Sequence, residues 1–589
     1  MYFEQIDQPS DVKRLKLNQL ETLAAEMRQA LLQKLSRRGG HFGPNFGMVE
    51  ATIALHYVFD SPRDKLVFDV SHQTYCHKML TGRKKAFLSE QHYGDVSGYS
   101  NPQESPHDFF TIGHTSTSVS LACGLAKARD LKGGKENIIA VIGDGSLSGG
   151  EALEGLDFAS ELRSNLIIVV NDNQMSIAEN HGGLYQNLRL LRETDGKAEC
   201  NFFRAMGLGY VFVKNGNDLS QLIAAFQMVK DATHPVVVHI CTQKGKGFAA
   251  AEKDRESWHW CTPFGMANGK PVAAVEEEDY SSVTASFLLE RMKEDKTLVA
   301  ITSATPAVLG FTPEKRREAG SQFVDVGIAE ETAVALASGI AVNGGKPVYG
   351  VYSTFVQRAF DQLSQDLCIN NSPATILVYA ASIYGMNDVT HLGIYDIPMM
   401  ANIPNLVYLA PTTKEEYLAM LDWSLAQRAH PVAIRVPGGP LVSSGQAVTK
   451  DFSKLNQFEV VQRGNRAAIL ALGAFFPLGK AAAQAIAVQT GVQPTLINPR
   501  YISGLDVDLL EQLKEDHEVI VTLEDGILDG GFGEKIARFY SRFHQKVLNY
   551  GLQKKFLDRY DVAEVLRQNH LTAEQIAGDV AELLCSESK

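Results

Sequence analysis

Residues 141–177 read VIGDGSLSGGEALEGLDFASELRSNLIIVVNDNQMSI. An apolar run at 138–142 predicts a buried strand that ends at the Gly-Asp-Gly turn 143–145. A second apolar run, 166–170, ends at the Asn-Asp-Asn sequence 171–173. A helical pattern lies between the two runs, and these apolar residues fall near one of its faces: Ala152, Leu153, Leu156, Phe158 and Leu162. The stretch therefore predicts a strand–helix–strand unit whose two strands are parallel.

The two predicted strands end in residue types that bind metal ions. Asp144 and Asn173 should both reach the crevice at the carboxyl ends of the strands, where open α/β sheets bind ligands. A carboxylate, an amide oxygen and a backbone carbonyl suit a Mg²⁺ ion that also binds two phosphate oxygens. Gly143 and Gly145 leave room for a diphosphate to approach the backbone. The alternative is a tight turn that needs glycine, but it does not explain why both strands end in metal-ligand residue types.

The bulk composition excludes several classes of function. With 589 residues the chain is too long for one core and suggests three domains. A formal charge of −12 argues against a nucleic-acid partner. No apolar stretch is long enough to cross a bilayer, and the amino terminus has no signal-peptide core, so we expect a cytoplasmic protein without a membrane partner. The seven cysteines are scattered singly, which argues against zinc pairs and disulfides.

Strand and helix patterns alternate along the whole chain. They predict three α/β domains, at 1–265, 280–440 and 445–589, each a mostly parallel sheet flanked by helices. The acidic run 276–279 indicates a linker between the first two domains. In the second domain, the predicted strand 324–326 is followed at once by Glu330 and a helical pattern rich in small residues.

The Gly-Asp-Gly turn followed by Asn-Asp-Asn resembles the metal–diphosphate signature of thiamine diphosphate enzymes. Further motifs occur in a fixed order: RRGGHFGPNFG (37–47), FDVSHQTYCHKMLTGR (68–83), GHTSTS (113–118), VIGDG (141–145), NDNQMSI (171–177), IAEE (328–331), YSTFVQRAFDQ (352–362) and THLGIYD (390–396). Together they are similar to the 1-deoxy-D-xylulose-5-phosphate synthase family, within the transketolase-like thiamine diphosphate enzymes. The resemblance covers nearly the whole chain.

The resemblance implies a homodimeric transferase with a three-domain transketolase-like architecture that uses thiamine diphosphate and Mg²⁺. Its reaction would decarboxylate pyruvate and join the two-carbon unit to the aldehyde of glyceraldehyde 3-phosphate, a step of isoprenoid and thiamine biosynthesis. Two alternatives stay open. One is a related carboligase or transketolase with a different acceptor, such as an unphosphorylated aldehyde. The other is a catalytically silent paralogue that binds the cofactor.

The resemblance also assigns roles to residues. The expected metal ligands are Asp144, Asn173 and the carbonyl of Met175. The expected cofactor contacts are His72, Gly113, His114, Thr115, Gly145, Ser146, Asn173, Phe248, Phe355 and Glu330. Glu330 would act on the aminopyrimidine ring as a proton relay. The alternative is that this carboxylate, at the start of a helix, only stabilises the helix by interacting with its dipole. The expected proton-transfer residues are His41, His259 and His391, and the expected substrate-side residues are Tyr352, Arg358 and Asn387. A lone histidine is otherwise more often structural.

Three positions depart from the family pattern. Ala380 and Gly438 stand where the family carries arginines that are expected to bind the phosphate of the acceptor, and Asn387 replaces an aspartate. The segment 177–244 is also shorter than in the family. We therefore expect a family-like cofactor half and an altered acceptor half, with glyceraldehyde 3-phosphate a poor acceptor.

Overall fold

The computed structural model describes residues 1–266, 269–272 and 278–586. These residues form two compact units. The first contains Met1–Glu276 with Gly327–Ala329, and the second contains Glu277–Val326 with Glu330–Lys589. Glu276 and Glu277 of the predicted linker lie outside the described residues, as do residues 587–589. The domain boundaries at 265, 280, 440 and 445 stay predictions.

The first unit is built on a five-stranded parallel sheet with the order β2-β3-β4-β6-β5. Two short strands, β1 and β7, pair separately as an antiparallel ribbon. The strands are β1 (Gly40–His41), β2 (Lys65–Phe68), β3 (Ile138–Gly143), β4 (Leu166–Asp172), β5 (Gly209–Val213), β6 (Pro235–Cys241) and β7 (Trp260–Cys261). The predicted strands at 138–142 and 166–170 are thus neighbours in one sheet.

Helices cover both faces of this sheet. The long ones are α1 (Leu17–Arg38), α2 (Val49–Val58), α3 (Ser118–Leu131), α4 (Gly150–Glu161), α5 (Gly183–Glu193) and α6 (Leu219–Val229). Alternate strand residues point to opposite faces, so Ile139 and Ile167 pack with α1, α2 and α6, whereas Ile138 and Ile168 pack with α3, α4 and α5. Both faces are therefore apolar, as parallel sheets require.

One detail of the predicted helix is wrong. Leu153 and Phe158 were expected on the core face of α4, but they are 36% and 51% exposed. The buried stripe of α4 is instead made of small residues and one leucine: Ala152, Gly155, Leu156 and Ala159. These residues follow the i, i+3, i+4, i+7 spacing of one helix face, and Leu153 and Phe158 lie beside that stripe.

The second unit contains two sheets. A six-stranded parallel sheet has the order β12-β13-β11-β10-β8-β9, and a five-stranded sheet has the order β14-β16-β15-β17-β18 with only β14 antiparallel. The strands are β8 (Leu298–Thr302), β9 (Phe323–Asp325), β10 (Lys346–Tyr352), β11 (Thr375–Ala381), β12 (Val407–Leu409), β13 (Val432–Pro437), β14 (Glu459–Gln462), β15 (Arg466–Ala471), β16 (Thr495–Asn498), β17 (His517–Ile527) and β18 (Lys546–Leu552).

The two sheets of the second unit share part of their packing. Its long helices are α7 (Tyr280–Glu294), α8 (Glu330–Val342), α9 (Lys414–Ala426), α10 (Phe476–Thr490), α11 (Phe532–Tyr540) and α12 (Ala573–Ser586). One hydrophobic cluster joins Val378 of the first sheet to Leu470 and Ile520 of the second. The predicted α/β fold class, with mostly parallel sheets flanked by helices, is confirmed. Within the residues that the structure describes, no helix has the length and hydrophobicity that a membrane span requires.

Candidate active site

The predicted metal ligands meet at the carboxyl ends of β3 and β4. Gly143 pairs with Asn171 in the sheet, so the turns that follow the two strands lie side by side. The Asp144 carboxylate accepts hydrogen bonds from the Gly145 amide at 3.0 Å and from the Gln174 amide at 2.6 Å. The Asn173 side-chain oxygen accepts one from the Met175 amide at 3.1 Å. The structure therefore brings Asp144, Asn173 and Met175 into one turn region.

The donor set fits a divalent cation. Burial and the charge of the neighbouring Asp172 raise the pKa of Asp144 well above its ordinary value. A cation beside such a carboxylate stabilises its anionic form and reverses that shift. Carboxylate, amide and carbonyl oxygens are the ligands that Mg²⁺ prefers. Asp144, Asn173 and the Met175 carbonyl are therefore the residues that would hold the ion.

The two glycines beside Asp144 have different roles. A Cβ added at Gly143 would meet no atom within 4 Å, so this backbone faces open space that a diphosphate could approach. A Cβ at Gly145 would lie 2.3 Å from Ser176 Oγ. Glycine is thus required at 145 because the turn packs against Ser176, and the open space beside Gly143 agrees with the expected room for a ligand.

Asp69 fixes the loop that carries the expected cofactor contacts Gly113, His114 and Thr115. Its buried carboxylate accepts the backbone amides of Ser116 and Ser118 at 2.7 and 2.8 Å. Ser116 has a positive φ of 74°, and its hydroxyl donates to the Ser146 carbonyl at 2.8 Å. The loop 113–115 is therefore tied to the Ser146 turn. Sequence reasoning missed Asp69, although it lies inside the motif at 68–83.

Three of the predicted histidines form a cluster in the first unit. The ring of His41 lies 4.9 Å from that of His72 and 5.7 Å from that of His259, and the last two are 5.2 Å apart. The Asn45 side-chain amide donates to the carbonyls of His41 and His72 at 2.7 and 2.8 Å. Asn45 therefore positions two of the three rings, a role that only its place in the 37–47 motif could have indicated.

The surroundings of His259 favour a neutral imidazole. Burial lowers its pKa well below the ordinary value, and the nearby Lys244, His72 and His41 add to the effect. Lys244 is itself buried, which lowers its pKa to about 7, and its ammonium donates to the Ser176 carbonyl at 2.7 Å. Neutral imidazoles can accept or relay protons near pH 7.

Phe248, an expected cofactor contact, belongs to an aromatic cluster. Its ring lies 5.2 Å from that of Phe42, 5.0 Å from that of Trp258 and 5.9 Å from that of Phe264. Trp258 directly precedes His259, so this packing also helps to fix the His259 loop.

Glu330 begins α8 and is buried in the second unit. Burial raises the pKa of its carboxyl above the ordinary value, although the charge of Arg358 opposes that shift. Arg358 Nη1 lies 3.5 Å from Glu330 Oε2, and this oxygen accepts no hydrogen bond within the described part of the chain. A buried carboxyl oxygen without a hydrogen bond fits a ring nitrogen of an aminopyrimidine.

His391 lies with two of the other expected residues of the second unit. Its ring is 5.5 Å from that of Phe355, which is 5.8 Å from that of Tyr352. The Thr390 hydroxyl is 2.7 Å from His391 Nδ1. Burial lowers the pKa of His391 to about 4, so the imidazole is neutral at neutral pH.

Comparison with known proteins assigns the chain to a family. The sequence pattern described as 1-deoxy-D-xylulose-5-phosphate synthase matches residues 3–201 and 194–242. The chain is 38% identical to the 1-deoxy-D-xylulose-5-phosphate synthase of Shouchella clausii (strain KSM-K16) over 635 residues, which cover 100% of both chains. The chain belongs to the 1-deoxy-D-xylulose-5-phosphate synthase family. Family members use thiamine diphosphate with a divalent metal such as Mg²⁺.

Further sequence matches agree with membership of the 1-deoxy-D-xylulose-5-phosphate synthase family. The transketolase pyrimidine binding domain matches residues 276–441, and the transketolase C-terminal domain matches residues 456–576. The family member of Thermomicrobium roseum is 38% identical, with 100% of this chain and 99% of that protein covered. Among solved structures, the transketolase from Leishmania mexicana is 15% identical, covers 96% of this chain and 97% of its own, and gives a TM-score of 0.44.

Ala380 and Gly438, two of the three positions expected to depart from the family pattern, pack against each other. Ala380 has a left-handed φ of 52°. A Cβ built at Gly438 would lie 2.4 Å from Gly385 Cα and 3.2 Å from Ala380 Cα. The backbone at Gly438 therefore cannot carry an arginine, or any other side chain, unless the neighbouring loop moves.

Two arginines of the second unit, Arg435 and Arg358, already face carboxylates of the protein. Arg435 of β13 is buried and paired with Asp396 at 2.6 Å and with Asp525 at 2.5 Å. Arg358 faces Glu330. Asn387 is exposed, and its carbonyl accepts the Arg559 amide at 2.7 Å. Arg435 thus neutralises two buried carboxylates, and Arg358 lies beside the Glu330 carboxyl.

Proposed function

We propose that this chain decarboxylates pyruvate and joins the remaining two carbons to glyceraldehyde 3-phosphate, which yields 1-deoxy-D-xylulose 5-phosphate and CO₂. The observation that carries the proposal is the buried Glu330 carboxyl, whose Oε2 has no hydrogen bond among the residues that the structure describes. Binding alone would not need such a group, so it argues for a working enzyme rather than a silent paralogue. Family membership over the whole chain supports the same reaction.

The first unit would hold the charged end of the cofactor. Asp144, Asn173 and the Met175 carbonyl would bind Mg²⁺, and the open backbone at Gly143 would admit the diphosphate. Asp69 would keep the loop at 113–115 in place through the amides of Ser116 and Ser118. Preorganised contacts of this kind lower the entropy that binding costs.

The second unit would provide the proton relay. Thiamine diphosphate, when bound, supplies the electron sink for decarboxylation. Glu330 would hold a proton at Oε2 and share it with a ring nitrogen, because burial favours the neutral acid. His391, held neutral by burial, would orient the substrate and exchange protons with its oxygens. In the first unit, His41 and His259 would serve the same purpose.

An acceptor screen tests this proposal. Purified protein with Mg²⁺, thiamine diphosphate and pyruvate would be given glyceraldehyde 3-phosphate, and CO₂ release and product mass would be followed. The proposal expects CO₂ and deoxyxylulose phosphate in equal amounts. Release of neither would support the silent paralogue.

A second candidate is a carboligase with an unphosphorylated or smaller acceptor. It is favoured by the backbone contact between Gly438 and Ala380 and by the buried ion pairs of Arg435. A charge-assisted hydrogen bond contributes about 1.5–3 kcal/mol, so two lost arginine contacts would lower acceptor affinity by about 10²–10⁴-fold. In the same screen this candidate expects a higher kcat/KM for D-glyceraldehyde than for glyceraldehyde 3-phosphate. A micromolar KM for the phosphorylated aldehyde would eliminate it.

We also propose a homodimer in the cytoplasm with the three domain boundaries given above, as the family resemblance implies. Analytical ultracentrifugation of the holoenzyme tests the dimer, which predicts twice the mass of the 64.5 kDa chain. A monomer at micromolar concentration would contradict it.

A further inference from the structure

The turn at residues 173–175 carries two of the expected metal ligands and is called the metal turn below. A buried ion-pair network adjoins it. Asp172 is the last residue of β4 and is fully buried. Its Oδ2 accepts Arg192 Nη1 at 2.5 Å and His239 Nε2 at 2.9 Å, and the other ring nitrogen of His239 is 2.8 Å from the Tyr210 hydroxyl. The network is satisfied when Tyr210 donates to His239 and His239 donates to Asp172. One carboxylate oxygen is therefore fully engaged.

The second oxygen of Asp172 reaches the metal turn itself. The Gln174 amide donates to Asp172 Oδ1 at 3.2 Å and to Asp144 Oδ2 at 2.6 Å. Gln174 lies between Asn173 and Met175 and has a φ of 68°, which is unfavourable for a residue other than glycine. Such a conformation persists only where surrounding contacts hold it. Two carboxylates share the amide that sets the direction of the turn.

We propose that Arg192 is a positioning residue for the metal site, an inference that rests on the proposed function. The guanidinium neutralises Asp172, so that this carboxylate can lie beside Asp144 and hold the Gln174 amide without a second unpaired negative charge. Without Arg192, Asp172 would be a buried anion next to another carboxylate, with only the hydrogen bond from His239 to compensate its Oδ2. The turn would then lose one of its two anchors.

Arg192 connects the helix after the metal turn with the end of the strand before it. Arg192 lies in the last turn of α5, inside the segment 177–244, which the family resemblance leads us to regard as shortened. The side chain reaches back to the strand end that precedes this segment, and 20% of it is exposed. This segment thus contains a helix that supports the metal turn from outside the set of ligands.

A second metal ion is the competing explanation of the network. The donor atoms of Asp172, His239 and Cys241 lie within 4.8 Å of one another in the described residues. However, Arg192 already provides the positive charge at Asp172, and Tyr210 is already bonded to His239. A further cation would be repelled by the guanidinium at this distance.

Mn²⁺ binding tests the assignment. The affinity of Mn²⁺ in the presence of thiamine diphosphate would be measured by electron paramagnetic resonance for the wild-type protein, Arg192→Met and Arg189→Met. Arg189 is on the same helix with its side chain 72% exposed and paired with Glu193, so it is the matched control. We expect Arg192→Met to raise the dissociation constant by about 10–100-fold, as loss of outer contacts does at other metal sites, and Arg189→Met to leave it within about twofold.

Further variants separate positioning from folding. Arg192→Gln keeps a neutral donor and should give an intermediate increase, while Arg192→Lys should recover most of the affinity, with thermal midpoints measured in parallel. Wild-type Mn²⁺ affinity in a folded Arg192→Met or Arg192→Gln protein would overturn the proposal. Two Mn²⁺ ions per chain, one of them lost in His239→Phe, would overturn it in favour of a second metal. Absence of Mn²⁺ binding by the wild-type protein would instead refute the proposed function.

Discussion

His391 should remain neutral throughout the pH range in which the enzyme works. Its side chain is buried in the second unit, and burial lowers its pKa from 6.5 to about 4. At pH 7 about one molecule in a thousand would then carry the extra proton, against about one in four for an ordinary histidine. An acid limb in the rate profile that comes from His391 would therefore lie below pH 5.

The same shift links stability to pH with a defined sign. Well above pH 7 neither state binds the proton, and the full stability is present. As the pH falls through 6.5, His391 binds a proton in the unfolded chain but not in the native protein, so the free energy of unfolding decreases. The decrease ends when native His391 also binds the proton, near pH 4. His391 alone lowers the free energy of unfolding by about 2 kcal/mol at pH 5 and by about 3 kcal/mol in total.

Two measurements check this prediction. The pKa would be read from ¹³C-labelled histidine by NMR, with His391→Gln identifying the resonance. The free energy of unfolding would be compared at pH 7.5 and pH 5 for the wild-type protein, His391→Gln and His181→Gln, an exposed control. The wild-type protein and the control should each lose about 2 kcal/mol more than His391→Gln. A resonance that titrates near pH 6.5, or equal losses in all three proteins, would refute the reasoning.

Three further substitutions probe the cofactor and acceptor regions. Asp144→Ala should abolish Mg²⁺-dependent binding of thiamine diphosphate. An unchanged cofactor affinity, measured by calorimetry, would contradict the assignment of Asp144 as a metal ligand. Glu330→Gln should still bind the cofactor but slow exchange of its C2 proton by about 10²-fold or more, whereas a wild-type rate by NMR would exclude the relay. Gly438→Ala should lower stability by about 1–3 kcal/mol, because its Cβ meets Gly385 at 2.4 Å. Gly339→Ala, in α8 with open space around its Cβ, should be neutral or stabilising, and equal thermal midpoints for the two variants would contradict the packing argument.

Those parts of the fold that depend on short apolar runs in the sequence could be predicted. The apolar runs at 138–142 and 166–170 predicted the two strands, and parallel pairing then brought Asp144 and Asn173 together. The pattern could not show that small residues form the buried stripe of α4, because Leu153 and Phe158 are equally compatible with helical spacing. Which apolar residues face the core depends on the sheet against which the helix packs.

Features that depend on distant partners were missed. Strand β13 was not predicted, because Arg435 interrupts its apolar run; only Asp396 and Asp525, far along the chain, make its burial possible. Arg192 and Asp172 are likewise brought together by the fold of the segment between them. The roles of the histidines came from the family resemblance alone, since their spacing along the chain carries no signal of the cluster.

The most direct test of the proposed reaction follows labelled carbon from pyruvate into the product. Protein, Mg²⁺ and thiamine diphosphate would be mixed with [2,3-¹³C₂]pyruvate and unlabelled glyceraldehyde 3-phosphate, and the product would be observed by ¹³C NMR. The proposed function predicts a coupled ¹³C pair at the methyl and keto carbons of 1-deoxy-D-xylulose 5-phosphate, which Glu330→Gln should form much more slowly. Pyruvate that stays intact, or label that appears only in acetaldehyde or acetate, would contradict the central claim that this chain joins the two-carbon unit to that aldehyde.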